Sequence, residues 1–135
     1  MEHQELVTKL HNQGFNCAQS FISAYKDELK MDEKMLFTLV EGLGRGIAGL
    51  EDICCIPVIM TMICSKLETC DGELSNPNSK LDTYACGKCL IMDFKEKVGT
   101  IRCHDILEYN KKSNNRCCTD ILKKGAKIMD QYLNE

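Results

Sequence analysis

The chain has 135 residues, a net charge of −3 at pH 7 and ten cysteines. That length supports one domain, 1–135, with a core large enough to need no covalent staples. The mild acidity excludes the basic footprint that nucleic-acid or anionic-membrane binding requires.

Residues 2–11 read as a short polar helix, ended by the breaker run Asn12 to Gly14. Asn16 is a good N-cap for a second helix in which Cys17, Phe21, Tyr25 and Leu29 recur at i, i+4, i+8 and i+12. Asp32 caps a third, through Met35, Leu36, Leu39 and Val40, which gives way to a loop holding Gly42, Gly44, Gly46 and Gly49. Nearly everything from Ile53 to Cys64 is apolar, which places a helix beginning near Ile53 or Cys54 and running to about Glu68 inside the fold. Pro57 fits only the first turn of that helix, and the run falls short of the roughly 20 residues that span a bilayer.

The stretch Thr69 to Asp82, with its DGELSNPNS, is the one long loop. A fifth helix follows from about Leu81 to Val98, with Ile91, Phe94 and Val98 on one stripe and Gly99 as its stop. A short sixth starts near Arg102, Asn110 to Asn115 reads as loop, and a last helix runs from Arg116 to Leu133. No set of alternating strands and no repeat is visible. The pattern predicts an all-α fold, a compact bundle of about seven helices around a buried central helix.

The N-terminus MEHQELVTKLHNQ lacks a basic segment leading into an apolar one, so the expected compartment is the cytoplasm, without membrane insertion. In a reducing compartment, ten cysteines point to metal binding or redox chemistry rather than disulfide staples, with about half serving as small core hydrophobes. Four of them share two properties. Cys17, Cys54, Cys103 and Cys118 each open a helix, and each lies on that helix's inward stripe. Converging there, they would form a buried four-thiolate metal site whose charge is offset by four helix N-termini. The chain's three arginines lie close by, Arg45 in the glycine loop, Arg102 beside Cys103 and Arg116 beside the Cys117–Cys118 pair, and are candidates for stabilising a bound anionic centre.

GFNCAQSFISAY, GLGRGIAGLEDIC, DFKEKVGTIRCHDIL and a terminal Cys-led helix, in that order, resemble the C-GCAxxG-C-C family of redox-active proteins over roughly residues 5–133. The resemblance implies a small redox or iron–sulfur protein and picks out Cys17, Cys54, Cys103 and Cys118. Where the family has Cys-Gly-Ala-x-x-Gly, this chain has Cys54-Cys55-Ile56-Pro57-Val58-Ile59, so a second thiol replaces the first glycine and Ile59 replaces the last.

Other motifs compete. Gly44-Arg45-Gly46-Ile47-Ala48-Gly49 is formally a G-x-G-x-x-G, but the dinucleotide reading needs a preceding strand and a parallel sheet. The glycines more simply let the turn pass close to the thiol site. Cys86-Gly87-Lys88-Cys89 matches a thioredoxin-type tetrad without the strand of that fold. With Cys64 and Cys70 it reads as reduced thiols, or else as a second metal site or a dithiol pair. Vicinal disulfides at Cys54–Cys55 and Cys117–Cys118 are a further option. His104 stands next to Cys103, where a proton donor or alternative ligand would sit, though an exposed helical histidine is the simpler reading.

The leading expectation is therefore an iron–sulfur cluster, with zinc as the alternative, serving electron transfer or redox sensing with a redox partner protein. A homodimer sharing the cluster fits the same pattern. Two other functions are open: a metal-free thiol–disulfide oxidoreductase, which requires a cysteine of depressed pKa, and a structural zinc-binding adaptor.

Overall fold

The structure is a computed structural model and describes residues 1–112 and 118–134. Among these the chain folds into eight α-helices: α1 His3–Asn12, α2 Cys17–Ala24, α3 Lys26–Leu29, α4 Glu33–Val40, α5 Cys55–Cys64, α6 Lys80–Val98, α7 Cys103–Lys112 and α8 Thr119–Leu133. A 3-10 turn, Glu41–Leu43, extends α4, and a π turn, Ser65–Thr69, extends α5. The described residues hold no sheet, only an isolated antiparallel bridge between Ile53 and Arg102. None of their helices is long and apolar enough to cross a membrane.

The apolar run becomes the central helix, as expected. Ile56, Ile59, Met60, Ile63 and Cys64 of α5 are all buried, and α5 packs against α2, α6 and α8. Ile59, where the family motif carries a glycine, is a fully enclosed core residue. α1 lies along α2 and α8. It is pinned there by His3, whose ring nitrogens meet Asp130 of α8 at 2.7 Å and Glu28 of α3 at 2.8 Å.

Four expectations change. The second helix does not run unbroken to Leu29, because α2 ends at Tyr25, whose backbone (φ −105, ψ 15) leaves the helical region before α3 begins. The Tyr25 hydroxyl donates to Asp130 Oδ1 at 2.8 Å and to the Ala126 carbonyl at 3.2 Å. Anchoring a buried phenol to α8 outweighs the weak propensity that would continue the helix. On α4 only Leu36 and Val40 face inward, whereas Met35 and Leu39 are exposed. On α6 the buried stripe is Gly87, Leu90 and Phe94, flanked by half-buried Cys86, rather than Ile91, Phe94 and Val98. This helix is wedged between α5 and α8, so contact rather than amphipathicity chooses its inner face. Finally, α7 continues through Asn110, which is buried, to Lys112. The expected start of the last helix at Arg116 lies outside the described residues, and within them α8 begins at Thr119 with Cys118 as its N-cap.

Gly125 lets α8 settle on the core. A Cβ there would fall 2.5 Å from Ile56 Cγ2 and 3.0 Å from Phe21 Cε2. Gly125→Ala is therefore expected to destabilise the chain by about 1–3 kcal/mol through overpacking. Gly42→Ala, whose Cβ meets open space, should change stability by less than about 0.5 kcal/mol. Urea midpoints of the two variants check this, and equal midpoints would contradict the packing described.

Candidate functional site

The glycine loop folds into a left-handed turn. Arg45, Gly46, Ile47, Ala48 and Gly49 have consecutive φ values of 51, 70, 69, 54 and 74°, and Glu51 follows at 57°. Each non-glycine residue in this region costs roughly 1–2 kcal/mol, so the turn persists because its surroundings over-determine it. Ala48 N–H donates to the Gly42 carbonyl at 2.7 Å, Glu51 N–H to Arg45 at 3.0 Å and Asp52 N–H to Gly46 at 3.0 Å. The turn follows α4 and a 3-10 turn, not a strand, so the dinucleotide reading of its glycines lacks the element it needs.

Two glycines permit close approach. A Cβ on Gly46 would sit 2.6 Å from Cys103 Cβ and 2.6 Å from the Asp52 backbone nitrogen. A Cβ on Gly44 would sit 2.6 Å from Asn16 Nδ2. That amide belongs to the cap of α2. Asn16 Oδ1 accepts from Gln19 N–H at 2.9 Å, Gln19 Oε1 accepts from Asn16 N–H at 3.1 Å, and Asn16 Nδ2 donates to the Glu41 carbonyl at 3.0 Å. This capping box fixes the first turn of α2, and with it Cys17, beside the glycine turn.

The segment before α5 is clamped to the start of α7. Cys54 N–H donates to the Ile101 carbonyl at 2.7 Å, His104 N–H donates to Glu51 at 3.0 Å, and Cys103 N–H donates to Asp52. Three helix N-termini thereby meet. Cys17 opens α2, Cys54 caps α5 with Cys55 as its first residue, and Cys103 opens α7. Cys54, Cys55 and Cys103 are buried and Cys17 is half-buried.

The Cys55 and Cys17 sulfurs are 3.0 Å apart, with the Cys55 thiol donating. That contact is the largest of several effects that lower the Cys17 pKa from 9.0 to about 6. Burial opposes it, while the backbone N–H groups of Arg45 and Ala18 and the charge of His11 assist it. Cys55 is pushed well up, first by its bond to Cys17, then by its contact with Cys54 and by burial. Cys103 rises to about 11, chiefly through burial and then through the negative charges of Cys54, Cys17 and Glu51, with Arg45 opposing. At neutral pH the negative charge resides on Cys17 while Cys55 and Cys103 keep their protons.

Of the residues singled out beforehand, Cys17, Cys54 and Cys103 are gathered here. Cys118 is the half-buried N-cap of α8, its carbonyl accepting from Leu122 N–H at 2.9 Å. Cys55, read from the sequence as a possible vicinal partner of Cys54, is instead the direct partner of Cys17. Its place beside Cys54 in the first turn of an apolar helix was the available signal. Arg45 serves mainly through its backbone N–H, while its exposed guanidinium pairs with Glu51 at 3.1 Å. Arg102 is exposed and contributes through its backbone bridge to Ile53. Arg116 and Cys117 lie outside the described residues. His104 is exposed and held by Glu51, 3.1 Å from Nδ1. Among the described residues, no group of three or more His, Cys, Asp or Glu stands ready to hold a metal ion.

With its pKa lowered to about 6, Cys17 is expected to be largely thiolate, and so reactive, at neutral pH. Its alkylation rate should rise with a midpoint near pH 6, where an ordinary cysteine would titrate above 8. Linkage follows the same direction. Between about pH 6 and 9 the unfolded chain binds the Cys17 proton and the folded chain does not, so stability gains with rising pH and the gain is lost as pH falls through 6. Cys17→Ser should flatten that part of the urea-midpoint profile; an unchanged slope would overturn the assignment.

The family model described as "Putative redox-active protein (C_GCAxxG_C_C)" matches residues 15–132. No curated protein and no solved structure matches the chain. The matched span takes in all three helix starts that meet at the thiol cluster, the glycine turn between them and the Cys118 cap. The chain belongs to the C_GCAxxG_C_C family.

Proposed function

We propose that this protein is a thiol–disulfide redox protein in which Cys17 is the attacking thiolate and Cys55 the resolving thiol. The observation that carries this reading is the 3.0 Å contact between the two sulfurs, with the thiol proton on the Cys55 side. A disulfide needs about 2.05 Å between sulfurs, so a shift of roughly 1 Å closes the pair.

Cys17 attacks one sulfur of a partner's disulfide, and the other partner sulfur leaves as thiolate and takes a proton from solvent. Cys55 then gives its proton to the sulfur still bound to Cys17, attacks Cys17 Sγ and expels the second partner thiol. The partner gains two electrons and two protons, and the protein ends with a Cys17–Cys55 disulfide. A dithiol reductant returns it to the starting state. The two N–H donors from Arg45 and Ala18 favour Cys17 as leaving group in that return. Exposed Leu50 and Ile53 stand at the glycine turn, where a protein partner would dock.

A second reading is an iron–sulfur cluster, or zinc, held by Cys17, Cys54, Cys103 and Cys118. Its support is that Cys17, Cys54 and Cys103 start helices that meet, sulfur donors whose negative charge those helix N-termini offset, which suits either group. Cys55 would then be an additional thiol beside the ligands. A cluster bound there would supply one-electron transfer.

Protein purified without oxygen separates the two readings. Thiol exchange predicts a Cys17–Cys55 linked peptide after exposure to a disulfide probe, no stoichiometric metal, and a mixed disulfide trapped on Cys17 in Cys55→Ser. Iron with acid-labile sulfide, lost in Cys54→Ser and retained in Cys86→Ser, would overturn it in favour of the cluster.

A further inference from the structure

The other end of α5 carries a second sulfur group. Cys64, its last residue, is completely buried, and its sulfur stands at disulfide-bonding distance from that of Cys86 on α6. Cys86 is half-buried. Its sulfur lies 2.6 Å from the Tyr132 hydroxyl of α8, which is 3.9 Å from the Cys64 sulfur. Three helices meet at this point, and none of the cysteines is part of the Cys17 cluster. The C-x-x-C spacing suggested Cys89 as the partner of Cys86. Instead Cys89 is an exposed free thiol, and Cys86 turns inward to Cys64.

We propose that Cys64 and Cys86 form a second dithiol/disulfide couple, which an external disulfide enters from solvent through Cys86. The asymmetry of exposure sets the order of events. As a thiolate, Cys86 attacks an external disulfide and releases one thiol, leaving a mixed disulfide on Cys86. Cys64 then attacks Cys86 Sγ, its proton passing to the departing second thiol. Both protein thiols are oxidised, the external disulfide becomes two thiols, and no other reactant is needed.

As a thiol, Cys86 donates to the Tyr132 hydroxyl; once Cys86 ionises, first as nucleophile and later, during reduction, as leaving group, that hydroxyl can turn its own proton to the sulfur. Packing holds the couple together: a Cβ on Gly87 would lie 3.0 Å from Thr61 Cγ2, so α5 and α6 are close within a turn of the two sulfurs. Oxidation closes a segment of 22 residues that includes the exposed stretch 70–78. The oxidised chain should therefore unfold at higher urea than the reduced one.

The test uses the full chain, reduced, freed of reductant and exposed to oxidised glutathione, then blocked with N-ethylmaleimide and mapped by mass spectrometry. A Cys64–Cys86 linked peptide is expected in the parent and equally in Cys17→Ser, which separates this couple from the Cys17 centre. Glutathione should stay on Cys86 in Cys64→Ala. In Cys86→Ser, which alters only a half-buried position, Cys64 should stay unmodified while the chain is folded by circular dichroism. Should Cys64→Ala fail to fold, the parent and Cys86→Ser decide the matter. A Cys86–Cys89 link, no link in the folded parent, or glutathione on Cys64 in folded Cys86→Ser would each overturn the proposal.

Discussion

Three groups favour charge on the Cys17 sulfur: the Cys55 thiol, which donates to it, and the backbone N–H groups of Arg45 and Ala18. Each donor belongs to a different piece of structure. Cys55 arrives on the N-terminus of the central helix, Arg45 on the left-handed turn, and Ala18 on the first turn of α2 itself. Holding all three on one atom requires the capping box of Asn16 and Gln19, the run of positive φ from Arg45 to Gly49, and the clamp between 51–54 and 101–104. The strained turn makes sense in this light. Several residues in the left-handed region are costly, and what they obtain is a backbone donor aimed at a thiolate and a passage for the chain against Cys103.

Electrostatics then sort the cysteines. Neighbouring thiols cannot all ionise where burial penalises charge, so the one with the best donors suppresses the others. Cys17 takes the charge. Cys55 becomes the proton holder because its bond to Cys17 exists only while it is protonated, and Cys103 is held protonated by burial and by the charge beside it. A nucleophile next to a proton donor is what disulfide exchange requires, and the division arises from donor placement, not from any difference in side-chain chemistry.

The central helix keeps two sulfur groups apart. α5 has ten residues, about 15 Å of axial rise, with Cys54 and Cys55 at one end and Cys64 at the other. Between them lies the apolar core of Ile56, Ile59, Met60 and Ile63. The two sulfur groups thereby stay apart in space.

Much of this was legible in the residue pattern. The helical class, the buried run from Cys54, the Asn16 and Asp32 caps and the first-turn placement of Cys17 and Cys103 all follow from local rules of capping and periodicity, which need no knowledge of neighbours. The passage of the glycine turn close to the cysteines was equally readable, since glycines that crowded imply close approach. Partnership was not. Cys55 joins Cys17, Cys86 leaves Cys89 for Cys64, and α6 buries Leu90 beside Cys86 instead of Ile91 and Val98, because these outcomes depend on how α2, α5, α6 and α8 rotate against one another. Periodicity places a side chain on a face of its own helix. Which sulfur lies across from that face is a property of packing between segments far apart in the chain, and no local spacing encodes it.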